Sequence, residues 1–182
     1  MPDPVTTPDP SQKRAAPMCM VLLGGAPGIG KSAVARECLG LAAAGARLTQ
    51  WVDVDALWAH QPWEVSDRTT AMVQANLRAV IANADAAGME LVLVTWVFQD
   101  ARMQDLVRSL APTGLATVSV QLHAEPATWR RRFEADPGRP ELGDFYRRRY
   151  DEAQRTPSDH VLHTDGKTAR AVAVELAALL PD

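Results

Sequence analysis

The chain lacks the features that mark several large classes of protein. Its 182 residues include only two cysteines, which is too few for a disulfide framework. No apolar run approaches the roughly 20 residues of a membrane-spanning helix, and no basic segment followed by an apolar one stands at the N-terminus. Basic residues are not in excess, because 19 Lys and Arg stand against 22 Asp and Glu. We therefore expect a soluble, cytoplasmic protein that binds neither nucleic acid nor a membrane.

Composition divides the chain into two parts. Residues 1–17 hold five of the 13 prolines and hardly any apolar side chains, so burial could not offset the entropy lost on ordering. They are predicted to be a disordered tail, and residues 18–182 are predicted to form one domain, as a monomer or a homodimer. Cys19 and Cys38 fall in a predicted strand and a predicted helix of this domain. Both are expected to be buried apolar side chains without chemistry.

Short apolar runs alternate with helical patterns through the predicted domain. Near-continuous Val and Leu in the first and third runs indicates strands buried on both faces, as in a parallel sheet covered by helices. Gly45 and Gly88 are expected to end helices, and Asp100 and Thr168 to begin them. The runs are MCMVLL, LTQWVDVD, ELVLVTWVF, ATVSVQLH and HVLH, and the helices that follow them are predicted at about 31–44, 67–87, up to 110, from 126, and 168–180.

The stretch GGAPGIGKS, residues 24–32, joins the first predicted strand to the first helix. It fills the pattern G-x-x-x-x-G-K-[ST], in which backbone N–H groups at a helix N-terminus converge on phosphate oxygens. Lys31 would reach the β- and γ-phosphates, and the Ser32 hydroxyl would bind Mg²⁺. The predicted nucleotide-binding residues of this loop are Gly25, Ala26, Pro27, Gly28, Ile29, Gly30, Lys31, Ser32 and Ala33.

Two classes of phosphate-loop protein fit the rest of the chain poorly. A GTPase would need an N-K-x-D segment, which is absent, and DAAG at 85–88 falls at a helix end that could not face a γ-phosphate. An ATP-driven motor usually ends its third strand with an acidic pair that activates water, but Thr95 and Trp96 stand at that point. The classes that transfer phosphate to another molecule fit better.

Two acids occur instead at the second predicted strand. Asp53 and Asp55 are two residues apart, so on a strand their side chains would share one face. Two carboxylates that meet at a strand end need a cation or a donor to neutralise one of them. A simpler alternative is that the pair only caps the next helix.

Between the fourth and fifth predicted strands, the polar, turn-rich stretch EADPGRPELGD precedes the basic helix FYRRRYDEAQR, and together they form a predicted flap. The phosphate loop, the Asp-x-Asp pair and this basic flap resemble the small P-loop kinases related to shikimate kinase, gluconate kinase and chloramphenicol phosphotransferase. The resemblance covers nearly all of residues 18–180. It implies a three-layer α/β fold with a five-stranded parallel sheet of order 2-3-1-4-5. It also implies that Asp53 assists Mg²⁺ and that Asp55 orients the acceptor hydroxyl as a base. The implied catalytic residues are Lys31, Asp53, Asp55 and Arg132, and the implied metal ligands are Ser32 and Asp53.

A lid between the fourth and fifth strands is part of this resemblance, at about 133–150. The segment QLHAEPATWRRRFEAD is similar to the start of the lid in the family, and its spacing places Arg132 to stack on adenine or contact phosphate. Relatives commonly repeat an arginine four residues later, where this chain has Asp136. Arg139, or one of the arginines at 147–149, could carry that charge. Consecutive helical residues point about 100° apart, so the three at 147–149 cannot all face one ligand.

An aromatic-walled acceptor pocket is predicted at the carboxyl ends of the second and third strands, where open α/β sheets bind ligands. The tryptophans there could equally fill gaps in the core. The predicted acceptor-binding residues are Asp55, Trp58, His60, Trp63, Trp96, Gln99 and Arg139.

These features predict a kinase that uses ATP and Mg²⁺ to phosphorylate a hydroxyl group of a small molecule. A phosphotransferase that inactivates an antibiotic or tailors a natural product would share every motif. A toxin kinase that acts on a nucleotide sugar is a further alternative with the same chemistry. From a different class, an ATP-binding regulatory switch would bind nucleotide without transferring phosphate to a small molecule.

Overall fold

The computed structural model describes residues 17–180, so the predicted tail at 1–17 lies outside the described residues except for Pro17. Five strands form one parallel sheet in the order β2-β3-β1-β4-β5, which confirms the expected topology. Because all strands are parallel, their carboxyl ends meet at one edge of the sheet. The strands are β1 (Cys19–Gly25), β2 (Thr49–Asp53), β3 (Leu91–Thr95), β4 (Ala116–His123) and β5 (His160–His163).

The predicted helices form close to their expected bounds. One short helix, Val54–Leu57, was not predicted. Asp100 and Thr168 each accept a backbone N–H bond at the start of a helix, so both are N-caps as expected. Gly45 is the C-cap of the first helix, and Gly88 follows the end of the third with φ of +77°. The helices are α1 (Lys31–Ala44), α2 (Val54–Leu57), α3 (Asp67–Ala86), α4 (Ala101–Leu110), α5 (Pro126–Glu134), α6 (Asp144–Arg155) and α7 (Ala169–Ala177).

Apolar side chains form one cluster on each face of the sheet. In β1, Cys19, Val21 and Leu23 belong to the cluster shared with α1, α5, α6 and α7, whereas Met20 and Leu22 belong to that shared with α3 and α4. Both faces of β1 are therefore covered, as its sequence predicts, and both cysteines are buried and free. Within 17–180, no helix combines the length and the apolar character needed to cross a membrane.

The predicted lid is anchored at both of its bounds. Phe133 in α5 and Tyr150 in α6 are only 1% and 8% exposed and belong to the same apolar cluster. The segment without regular secondary structure is shorter, 135–143, and is largely exposed. Burial of the flanking aromatic rings thus restricts the polar, turn-rich part of the lid to these nine residues.

Candidate active site

A cavity of about 370 Å³ lies at the carboxyl edge of the sheet, in front of the loop between β1 and α1. It brings together most of the phosphate loop, both predicted acids and three side chains from the region between β4 and β5. Its lining residues are Pro27, Gly28, Gly30, Lys31, Ser32, Ala33, Arg36, Asp53, Asp55, Val97, Arg132, Asp136 and Arg139.

The backbone of the phosphate loop needs glycine at two of these positions. Gly28 and Gly30 have φ of +80° and +114°, a region that side chains other than glycine rarely adopt. A Cβ on Gly28 would also lie 3.0 Å from the ring of Phe133. Gly30 begins α1 without a side-chain cap, so the N–H groups of the first turn are left open to an anion.

The ammonium group of Lys31 lies across the loop that precedes it. Its Nζ donates to the carbonyl oxygens of Gly25 and Ala26, at 2.8 and 3.0 Å. Burial lowers the pKa of Lys31 to about 8, against the opposing attraction of Asp55. An incoming phosphate would stabilise the charged form further, because it adds an anionic group next to the desolvated ammonium.

Asp53 ends β2 and begins α2. Its Oδ1 accepts the backbone N–H of Asp55 at 3.1 Å, and its Oδ2 accepts a hydrogen bond from the Ser32 hydroxyl at 3.5 Å. The prediction that both acids lie on one strand is therefore wrong, because this capping bond turns the chain into α2 at Val54. The helix turn nevertheless places Asp55 in the same cavity as Asp53. Asp53 therefore caps α2, and the two acids also line one cavity.

Asp55 opens onto the cavity, but its carboxylate is partly desolvated. This desolvation raises the pKa of Asp55 above its usual value, and the attraction of Lys31 opposes the rise. The nearby indole of Trp96 also opposes the rise, because its N–H favours the charged form of the carboxylate. Trp96 thus acts on a predicted acceptor residue, although its own side chain does not line the cavity.

Arg132 lies on α5 and connects this helix to the loop after β5. Its two terminal nitrogens donate to the hydroxyl and carbonyl oxygens of Thr164, each at 2.7 Å, and one also reaches the Ile29 carbonyl at 3.4 Å. The guanidinium therefore joins α5, the phosphate loop and the end of β5. This bracing was not evident from the sequence, because Thr164 is 32 residues away along the chain.

Arg139, which lies within the predicted lid, also lines the cavity. Its Nε lies 3.0 Å from Oδ2 of Asp136, and its guanidinium lies over the Phe133 ring at 5.2 Å. The arginines at 147–149 do not line the cavity, and Arg149 pairs with Glu152 on α6 at 2.6 Å. Of the alternatives left open by the sequence, the structure brings Arg139 to the site.

The predicted aromatic acceptor wall is not part of this cavity. Trp58 packs against the core on the α3 and α4 side, which favours the gap-filling alternative, and Trp63 is 65% exposed. His60 contacts the Glu64 carbonyl of its own loop at 3.2 Å. Trp58, His60, Trp63 and Gln99 are all absent from the cavity lining within the described part of the chain.

Two charged lining residues, Arg36 and Asp136, were not among the predicted site residues. Arg36 lies on α1 and its guanidinium is 5.8 Å from the centre of the Trp51 ring. Its spacing of four residues from Ser32 places both on one side of α1, and this signal could have identified it. The Trp51 indole in turn donates to Thr95 Oγ1 at 2.9 Å, at the strand end where a motor would carry its acid.

Comparison with known proteins identifies the fold. No protein-family model and no curated protein matches the chain. The APS kinase of Mycobacterium tuberculosis, solved in complex with AMPPNP and APS, matches with 22% identity and a TM-score of 0.66, over 90% of this chain and 97% of that one. The tunicamycin resistance protein of Deinococcus radiodurans matches with 20% identity and a TM-score of 0.65, over 89% and 95%. Shikimate kinase from Acinetobacter baumannii, in complex with shikimate, matches with 20% identity and a TM-score of 0.55, over 89% and 92%. The chain has the fold of the small P-loop kinases.

Proposed function

We propose that the chain is a phosphotransferase that uses ATP and Mg²⁺ to phosphorylate a hydroxyl group of a small molecule. The observation that carries this proposal is the shared cavity, in which the phosphate loop, two carboxylates and Arg139 line one space. Phosphoryl transfer depends mainly on positioning and charge neutralisation. The side chains of this cavity can do both without a covalent intermediate.

The nucleotide would occupy the loop side of the cavity. Lys31 and the open N–H groups at the start of α1 would bind the phosphates, and Arg132 would contact the nucleotide from α5. Ser32 and Asp53 offer the hard oxygen ligands that Mg²⁺ prefers, and their oxygens lie 3.5 Å apart in the cavity. The ion, when bound there, would neutralise phosphate charge.

The acceptor would lie beside Asp55. As the acceptor oxygen bonds to the γ-phosphorus and the bond to the ADP oxygen breaks, the hydroxyl proton would pass to the Asp55 carboxylate. A carboxylate with a raised pKa is a better proton acceptor than an ordinary one. Arg139 would stabilise the charge on the transferring group.

The test is an acceptor screen with the full chain, Mg²⁺ and ATP, with ADP release as the measurement. Sugars, sugar acids and antibiotics belong in the library, since one structure with this fold is a tunicamycin resistance protein. We expect one chemical class to stimulate ADP release. Lys31→Ala should abolish this release, whereas Asp55→Asn should bind ATP within about twofold of wild type and lose on the order of 10²-fold in kcat.

Matched controls come from surface ion pairs outside the cavity. Lys167 pairs with Glu175 at 2.7 Å and Asp105 pairs with Arg108 at 3.1 Å. Lys167→Ala and Asp105→Asn should leave ATP binding and turnover unchanged. Wild-type kcat for Asp55→Asn would exclude the acceptor role. ATP binding without transfer to any acceptor would instead favour a regulatory switch.

A further inference from the structure

Trp129 lies on α5 and connects this helix to the phosphate loop. Its Nε1 donates to the carbonyl oxygen of Pro27 at 2.7 Å, across 102 residues of sequence. The side chain is 3% exposed, so this bond is sheltered from water. Its ring stacks on Tyr150 of α6, with centroids 4.4 Å apart and planes inclined by 24°. Two helices therefore fix the position of the indole N–H.

The bond constrains the orientation of the next amide in the loop. In a trans peptide the carbonyl oxygen and the following N–H point in opposite directions. The carbonyl of Pro27 points to Trp129, so the N–H of Gly28 points away from α5. Gly28 lines the cavity, and within residues 17–180 its N–H has no protein acceptor.

A second contact restrains the same peptide from the same helix. Phe133 lies one turn after Trp129 on α5, and a Cβ on Gly28 would meet its ring at 3.0 Å. Trp129 and Phe133 thus both contact the peptide between Pro27 and Gly28 from the side of α5. An alternative orientation, with the carbonyl turned into the cavity, would leave the buried indole N–H without its acceptor, which is costly.

We propose that Trp129 is a positioning residue of the phosphate loop: its indole N–H orients the Pro27 peptide so that the Gly28 N–H donates to a nucleotide phosphate. The inference rests on the proposed nucleotide binding. It adds that the loop is preorganised by α5 and not by its own sequence alone. A phosphate oxygen that accepts the Gly28 N–H would also polarise the peptide and strengthen its bond to Trp129.

The test compares two ligands that differ only in phosphates. Trp129→Phe keeps an aromatic ring and removes the N–H, and Tyr150→Phe is the control, because it removes the neighbouring hydroxyl bond to the Ala124 carbonyl. Calorimetry should show ADP binding to Trp129→Phe weakened about tenfold and adenosine binding within twofold of wild type. Tyr150→Phe should bind both ligands as wild type does, even if its unfolding temperature falls.

A second measurement uses the wild-type protein and so does not depend on the folding of a variant. The NMR resonance of the Trp129 indole proton should move downfield with ADP and stay in place with adenosine. An unmoved resonance with ADP, or ADP affinity in Trp129→Phe within twofold of wild type, would overturn the positioning role. Failure of the wild-type protein to bind ADP at all would overturn the proposed function first, and this inference with it.

Discussion

Asp136 and Arg139 form an ion pair in the segment between α5 and α6. The Nε of Arg139 lies 3.0 Å from Oδ2 of Asp136, while Oδ1 of Asp136 accepts the N–H of Gly138 at 3.1 Å. One carboxylate thus accepts a hydrogen bond within the turn through one oxygen and forms an ion pair with the arginine through the other. Within residues 17–180, the terminal nitrogens of Arg139 have no hydrogen-bond partner, so this bidentate edge could bind a phosphoryl group. We expect the acid at position 136 to orient the cation that follows it.

This arrangement predicts different losses for the two residues. Arg139→Lys should lower kcat on the order of 10²-fold, because a lysine cannot reproduce bidentate binding. Asp136→Asn can keep the turn bond but loses the ion pair, so kcat should fall about tenfold with ATP affinity unchanged. Steady-state kinetics measure both. Arg147→Gln, outside the cavity, is the control, and an undiminished kcat for Asp136→Asn would refute the orienting role.

Asp53→Asn separates the metal role of Asp53 from its structural role. Asparagine is as good an N-cap as aspartate, so α2 and the unfolding temperature should be preserved within a few degrees. The loss of the negative charge should weaken the proposed Mg²⁺ site. We expect the Mg²⁺ concentration for half-maximal activity to rise about tenfold in a titration at fixed ATP. An unchanged Mg²⁺ titration would contradict the assignment of this ligand.

Lys31 should make the stability of the ligand-free protein depend on pH. Its folded pKa of about 8 lies below the ordinary 10.5, so between these values the unfolded chain binds more protons. The contribution of Lys31 to stability is therefore least favourable below pH 8 and improves as pH rises through this window. In urea unfolding, the free-energy difference between wild type and Lys31→Met should move in favour of wild type as the pH rises above 8. A difference that stays constant with pH would show that the pKa is not lowered.

Trp96→Phe should shift the pH profile of turnover. The Trp96 indole favours the charged form of Asp55, so its removal should raise the pKa of that carboxyl further. If Asp55 accepts the hydroxyl proton, the acid limb of the kcat profile should move to higher pH, with kcat restored at alkaline pH. An acid limb at the wild-type position, with kcat lowered equally at every pH, would indicate a packing role only.

Regular elements were predictable because hydrophobic periodicity and capping residues are local signals. Val and Leu runs identified the buried strands, and the bounds of α1 followed from the loop motif before it and Gly45 after it. The sequence wrongly placed Asp55 on a strand. The strand β2 ends at Asp53, and the Asp53 side chain accepts the N–H of Asp55 as the chain turns into α2. A spacing of two residues would put Asp53 and Asp55 on the same face of the sheet only if β2 continued to Asp55.

The rest of the site depends on contacts that are distant in sequence. Trp129 with Pro27 and Arg132 with Thr164 join elements more than 30 residues apart, and nothing in their local sequence shows these partners. Trp58 and Trp63 lie in the connection between α2 and α3, where the backbone path decides whether a ring fills the core or faces solvent. Composition alone could not distinguish these outcomes.

The fate of the γ-phosphate of ATP tests the proposed phosphoryl transfer most directly. The wild-type protein is incubated with Mg²⁺, ATP and the acceptor that stimulates ADP release, and the phosphorus products are identified by ³¹P NMR. We expect a phosphate monoester of the acceptor, formed in a one-to-one ratio with ADP and absent with Asp55→Asn. Inorganic phosphate as the sole product, at a rate unaffected by the acceptor or by Asp55→Asn, would contradict the proposed transfer.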